Sequence, residues 1–207
     1  MLFSLLSEPM LLMVWVAGIV YAITIHEFSH ALAGYWLGDM TARDQKRLTL
    51  NPLSHIDPFG FIVLLLAGFG WGRPVPFNPY NLRYTRWGPV LVAIAGPISN
   101  IVSFLIFGFT LKFLLQAGVI DEQNLLTTFF IVLLNINLVL AVFNLFPVPP
   151  LDGSKLIRAL APPRFEHAVL TLERYGPWVL IAFVIFGGNL FSGLFSTLFS
   201  WSLRIFG

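Results

Sequence analysis

Residues 9 to 25 carry no charged side chain, and the run closes on His26-Glu27-Phe28-Ser29-His30. An apolar segment of this length belongs across a bilayer, where about 20 helical residues span the hydrocarbon. In a helix, positions i and i+4 share one face, so His26 and His30 can hold one metal ion while Glu27 stands beside it as a base. Ionisable groups at membrane depth cost roughly 2.5–3.5 kcal/mol each on insertion scales, so three together need a compensating role. The pattern predicts a zinc-hydrolase site within the membrane rather than a chance pentapeptide.

Composition agrees. The chain is 57% hydrophobic and 11% charged, against roughly 25% charged in soluble domains. The net charge of +2 implies no nucleic-acid partner, because the basic residues find a membrane explanation. There is no cysteine, so a metal must be held by nitrogen and oxygen. With Glu8 and no basic residue ahead of it, the first helix is expected to be retained rather than cleaved as a signal peptide.

Long apolar stretches cover 9–37, 58–69, 88–117, 125–146, 168–186 and 190–205. The second is too short to span, and with Gly60, Gly68, Gly70 and Gly72 in or beside it it is expected to be re-entrant. On that topology Arg43, Lys46, Arg47, Arg73, Arg83, Arg86, Lys155, Arg158, Arg164 and Arg204 face the cytoplasm, and Glu8, Asp121 and Glu122 face out. A spanning second stretch would destroy this positive-inside asymmetry. The expected fold is therefore an all-α polytopic membrane protein, one membrane-embedded domain over 1–207. It has about five spanning helices, a re-entrant segment near 58–70 and an external N-terminus. Arg47-Leu48-Thr49-Leu50 alternates polar and apolar residues, compatible with a short β element near 46–51 that could pair with an extended substrate. The loop from Met40 to Asp57 is the expected rim of a polar channel opening to the cytoplasm.

Catalytic zinc usually takes three protein ligands and leaves one position for water. Asp152 is the acidic residue that best answers. It follows Pro147, Pro149 and Pro150 and precedes Gly153, and those prolines break the helix so that its carboxylate can turn inward. The same topology brings it to the cytoplasmic half of the His26 helix. Turn chemistry at Asp-Gly is the ordinary alternative, and Glu166 or Glu173 would be the third ligand of an unrelated zinc protease.

These motifs resemble those of the site-2 proteases, intramembrane zinc metalloproteases, over most of the chain. His26 to His30 is similar to the family's first motif, and Asn144 to Gly153 to its second, in which the Asp before Gly is the third ligand. Ala95-Gly96-Pro97-Ile98-Ser99-Asn100 resembles the Gly-Pro-x-x-Asn stretch between them. The segments 50–58 and 72–79 resemble a compact prokaryotic branch without PDZ or CBS domain, in which a second glycine often stands where this chain has Ser154. The resemblance implies one zinc ion per chain held by His26, His30 and Asp152, and Glu27 as the catalytic base. It implies cleavage of transmembrane-segment proteins or peptides, in regulated proteolysis or in clearance of remnant peptides, in a prokaryotic plasma membrane. Substrates are expected to carry helix-weakening residues near the cut.

Asn100, Asn135, Asn137 and Asn144 must hydrogen-bond something in their apolar stretches. Asn100 and Asn144 are candidates for holding substrate or the oxyanion; helix-to-helix bonding is favoured for Asn135 and Asn137. His55 and Asp57 are candidates for an accessory or gating role beside their reading as turn residues. Gly187, Gly188 and Gly193 suit either a turn between two last spans or close helix contact, including in a homo-oligomer. Two other classes stay open: a zinc transporter, against which the chain shows no internal repeat, and an inactive relative that binds membrane segments, against which Glu27 and Asp152 are intact.

Overall fold

The computed structural model describes residues 8–67 and 70–206; the beginning of the chain, expected outside the cell, and positions 68 and 69 of the expected re-entrant segment lie outside that range. Among the described residues the α-helices are α1 (Pro9–Trp36), α2 (Thr41–Asp44), α3 (Pro58–Ala67), α4 (Gly88–Gln116), α5 (Leu125–Asn144), α6 (Ser154–Leu160), α7 (Glu166–Arg174) and α8 (Gly176–Phe206). Four of them, α1, α4, α5 and α8, are long and apolar enough to cross a membrane. The chain is an all-α, multi-pass membrane protein.

Local chemistry sets the helix ends that matter for the site. Proline opens α1 at Pro9, where its missing N–H costs nothing. The helix stops at Gly38, whose φ of 103° suits glycine, and the Asp39 N–H closes the turn on the Gly34 carbonyl at 2.9 Å. Asn124 caps α5 by accepting from the Leu126 N–H at 2.9 Å. At its other end the chain doubles back, and the Gly153 N–H donates to the Asn144 carbonyl at 2.7 Å. A side chain at Gly153 would collide with the Leu145 and Phe146 carbonyl oxygens, so only glycine allows the fold-back that carries Asp152 beneath the bundle.

Packing then brings α1, α4 and α5 together. Val14 and Ala22 of α1 meet Val132 and Ile136 of α5 in one buried cluster. Gly18 is the close-approach point, since a Cβ there would come within 2.9 Å of Ile136. A second cluster joins Phe104 and Leu111 of α4, Leu134 of α5 and Phe206 at the end of α8.

The structure revises three expectations. The last two apolar stretches do not form two spans: Ala168–Arg174 belongs to the short amphipathic α7, and Gly176–Phe206 is a single 31-residue helix. Pro177 marks its start, and the three internal glycines do not end it, because in lipid a broken backbone ladder costs more than glycine's low helix propensity. The described spans thus number four rather than five. Arg204 consequently stands at the end of α8 opposite Gly176, where the Lys112 ammonium donates to the Ile205 carbonyl at 2.6 Å.

No strand forms near 46–51. Lys46 takes a left-handed φ of 57°, which turns the backbone out of any ladder, and residues 47–50 follow as bend and coil. An isolated antiparallel bridge joins Ile56 and Gly72 instead. That bridge ties together the two ends of the segment containing α3, whose ten residues are about 15 Å long and too short to cross. Chain entry and exit side by side is what a re-entrant segment requires. Asp57 starts α3, its Oδ1 accepting from the Gly60 N–H at 2.7 Å.

Candidate metal centre

His26 and His30 face the same side of α1, 5% and 7% exposed. Their Nε2 atoms lie 3.1 Å apart, and Asp152 Oδ2 approaches from the loop after α5 to 3.1 Å of one and 3.3 Å of the other. Among the described residues this is the group of side chains that could hold a metal ion.

The other ring nitrogens fix what those atoms offer. His30 Nδ1 donates to the Val92 carbonyl at 2.7 Å and His26 Nδ1 to Asn100 Oδ1 at 2.6 Å. Asn100 cannot present its amide nitrogen there, because that NH₂ is committed to the Ala22 carbonyl at 3.2 Å and to Asn137 Oδ1 at 2.9 Å. Asn137 is oriented in turn by donating to Leu133 O at 2.8 Å. In the neutral rings that bind a metal, a proton on each Nδ1 leaves both Nε2 atoms as bare lone pairs. They and a buried Asp152 oxygen without a hydrogen-bond donor point at one another, an arrangement that a cation relieves. Ligand atoms about 2.0–2.1 Å from a tetrahedral zinc stand about 3.3 Å apart, close to the observed triangle. The residues fit zinc, and the chain of Nδ1 acceptors is the outer-shell support such ligands need.

Glycine makes the triangle possible. A Cβ on Gly96 of α4 would lie 2.5 Å from His30 Nε2 and 2.7 Å from His26 Cε1, so the bare backbone of α4 is the wall against which both rings rest.

Glu27 lines the same cavity, and its Oε2 accepts from the Val75 N–H at 3.1 Å. Val75 belongs to a segment without helix or strand, residues 73–78, in which Pro74, Val75 and Phe77 line the cavity. The Arg73 N–H donates to the His55 carbonyl at 2.8 Å, and the buried Arg47 guanidinium donates to the Arg73 carbonyl at 2.6 Å. His55 is fully buried and donates to Thr49 O at 2.7 Å; like Asp57, it stands apart from the metal group and supports the loop. The cavity, about 980 Å³, is lined on this side by Gly70–Phe77 residues, not by the 40–57 loop expected to form its rim.

Asn100 is fully buried behind His26, whereas Asn144 and Asn135 line the cavity. Glu173 is turned to Arg158 at 3.0 Å and Lys155 at 3.7 Å, and Glu166 lines a separate hollow with Arg86 and Arg158. Neither joins the histidines. The Val92 carbonyl and the Val75 N–H, as backbone groups, leave no side-chain signal in the sequence; Asn137 makes the helix-to-helix bond expected of it, to Asn100 of α4, whereas Asn135 bonds within its own helix.

Comparison with known proteins finds relatives described as zinc metalloproteases. The chain is 44% identical over 176 residues to "Putative zinc metalloprotease YwhC" of Bacillus subtilis, covering 83% of this chain and 80% of that one. The Rip2 protein of Mycolicibacterium smegmatis, with the same description, is 28% identical over 82% of this chain and 66% of its own. MJ0611 of Methanocaldococcus jannaschii, also so described, is 33% identical over 48% of this chain and 49% of its own. No family model and no solved structure matches the chain.

Proposed function

Since this chain belongs to the zinc metalloprotease family that YwhC represents, we propose that it is an enzyme of the site-2 protease type, hydrolysing peptide bonds in or near the transmembrane segments of other membrane proteins. The observation that carries the proposal is the triangle of His26 Nε2, His30 Nε2 and Asp152 Oδ2, with Glu27 in the same apolar cavity. His26, His30 and Asp152 would hold one zinc ion. Bound there, zinc supplies a Lewis acid that acidifies water and polarises a peptide carbonyl.

Glu27 takes the proton from the attacking water and returns it to the leaving amine. The Val75 N–H holds one carboxylate oxygen and leaves the other for that exchange. Asn100 keeps His26 in its metal-ready tautomer, and Asn144, at the foot of the cavity wall, is the side chain available to substrate backbone. The cavity opens toward the cytoplasm, the N-terminus is external, and the enzyme resides in a prokaryotic plasma membrane. A transporter is disfavoured because the centre has one face lined by a general base and no second ligand group among the described residues.

The test compares new protein termini in membranes of cells expressing wild type or Glu27→Gln. We expect termini within or beside apolar spans in the wild type only, lost when zinc is chelated. Termini that persist in Glu27→Gln, or that fall only in soluble domains, would overturn the proposal.

A further inference from the structure

Beyond Asn144 at its foot, the α5 wall of the cavity is apolar up to Asn135. The cavity extends from the metal centre along α1, past Ile23, Ile19 and Trp15, and along α5, past Leu140 and Val139, to Asn135. Asn137, two residues on, is fully buried and spent on Asn100. Asn135 differs. Its NH₂ turns back to the Ile131 carbonyl at 3.0 Å, and its Oδ1 accepts no hydrogen bond among the described residues. An acceptor left open to an apolar cleft at membrane depth is costly, and water is scarce there to satisfy it.

We infer that Asn135 is a specificity subsite that accepts a hydrogen bond from a hydroxyl or amide side chain in the membrane-embedded part of the substrate. The inference rests on the proteolytic function proposed above and names the substrate class more narrowly: a transmembrane segment with one donor side chain at a fixed distance from the cut.

Two rulers give that distance. Along α5, Asn135 lies nine residues before Asn144, about 13.5 Å at 1.5 Å per residue. Along α1, Gly18, which meets the neighbouring Ile136, lies eight residues before His26, about 12 Å. A substrate helical in this stretch would place its donor roughly eight or nine residues from the cleaved bond. One extended at about 3.3 Å per residue would place it roughly four residues away.

The experiment uses single-span reporters with a Leu/Ala segment that differ only in the position of one serine, one to twelve residues to the membrane side of the cut. Cleavage rates are measured with wild type, Asn135→Leu and the double variant Asn135→Leu, Val139→Asn. Wild type should prefer one position by roughly three- to tenfold, as for interhelical hydrogen bonds in lipid. Asn135→Leu should lose the preference. The double variant, with its amide one helical turn nearer the centre, should regain one shifted toward the cut by about four residues if the substrate is helical, or about two if extended. Zinc content reports that each variant is folded.

Equal cleavage of all reporters by wild type, or the same preferred position surviving in Asn135→Leu, would overturn the inference alone. A wild type that cuts none of them would overturn the proteolytic function and the inference with it.

Discussion

Alanine at Gly96 should abolish tight zinc binding while leaving the helices intact. Its Cβ would stand 2.5 Å from His30 Nε2 and 2.7 Å from His26 Cε1, where ordinary contacts begin at 3.4 Å. Each ring would have to retreat by most of an ångström, against a tolerance of about 0.2 Å in metal–ligand distances. Neither ring can retreat freely, because His26 is tied to Asn100 and His30 to Val92 through Nδ1. Losing one outer-shell partner costs about 10–100-fold in metal affinity; with both rings displaced we expect at least about 100-fold, or roughly 2.7 kcal/mol. Helix propensity works the other way, since Gly to Ala within a helix is favourable by up to about 1 kcal/mol. The assay is competition for zinc with a chelator in detergent, beside circular dichroism. Gly188→Ala is the control, because nothing lies within 4 Å of a Cβ there. Wild-type zinc affinity in Gly96→Ala with unchanged helicity would refute the reasoning.

Three further outcomes are expected. Asn100→Leu removes the acceptor that sets the His26 tautomer and should weaken zinc about 10–100-fold by the same competition assay; undiminished affinity would mean the Asn100–His26 bond does not orient the ligand. Asp39 is 1% exposed; burial pushes its carboxyl up, but donors from Thr41, Asn78 and Asn81 more than offset this and hold it below the usual carboxylate range. Its folded pKa is thus below the unfolded value of about 3.9, so its stabilisation is full above that pH and is lost as pH falls through the folded pKa. The gap in unfolding temperature between wild type and Asp39→Asn should therefore shrink below about pH 4, and a gap constant from neutral to acid pH would contradict it. Because the chain has no cysteine, Arg164→Cys and Arg204→Cys can be labelled singly with an impermeant maleimide in oriented vesicles. They should label from opposite sides, and labelling from one side would restore two spans in place of α8.

How much of this was legible beforehand follows from where the information sits. The apolar run before His26 and the i, i+4 spacing within it are local, and local patterns survive in sequence. So does Asp152, because the metal site lacks a third ligand and this acidic residue sits where a Pro-rich turn, otherwise ordinary turn chemistry, breaks the helix and lets it turn inward. Its meeting with the histidines needed only the side of the membrane on which two helices end, which the basic residues supply. The last helix was misjudged because glycine reads as a breaker in water, whereas lipid enforces backbone bonding through it. The strand near 46–51 was misjudged because alternation over four residues cannot reveal the left-handed Lys46 beside it. Asn135 and Asn137 were indistinguishable as letters; they point about 200° apart around α5, so one supports Asn100 and the other faces the cavity.

Metal content of the purified protein tests a zinc held by His26, His30 and Asp152, with Glu27 as base, without knowledge of a substrate. About one zinc per chain in wild type and in Glu27→Gln, with loss in Asp152→Ala, is the outcome the account predicts. No zinc in the wild type, or zinc indifferent to Asp152→Ala, would contradict it.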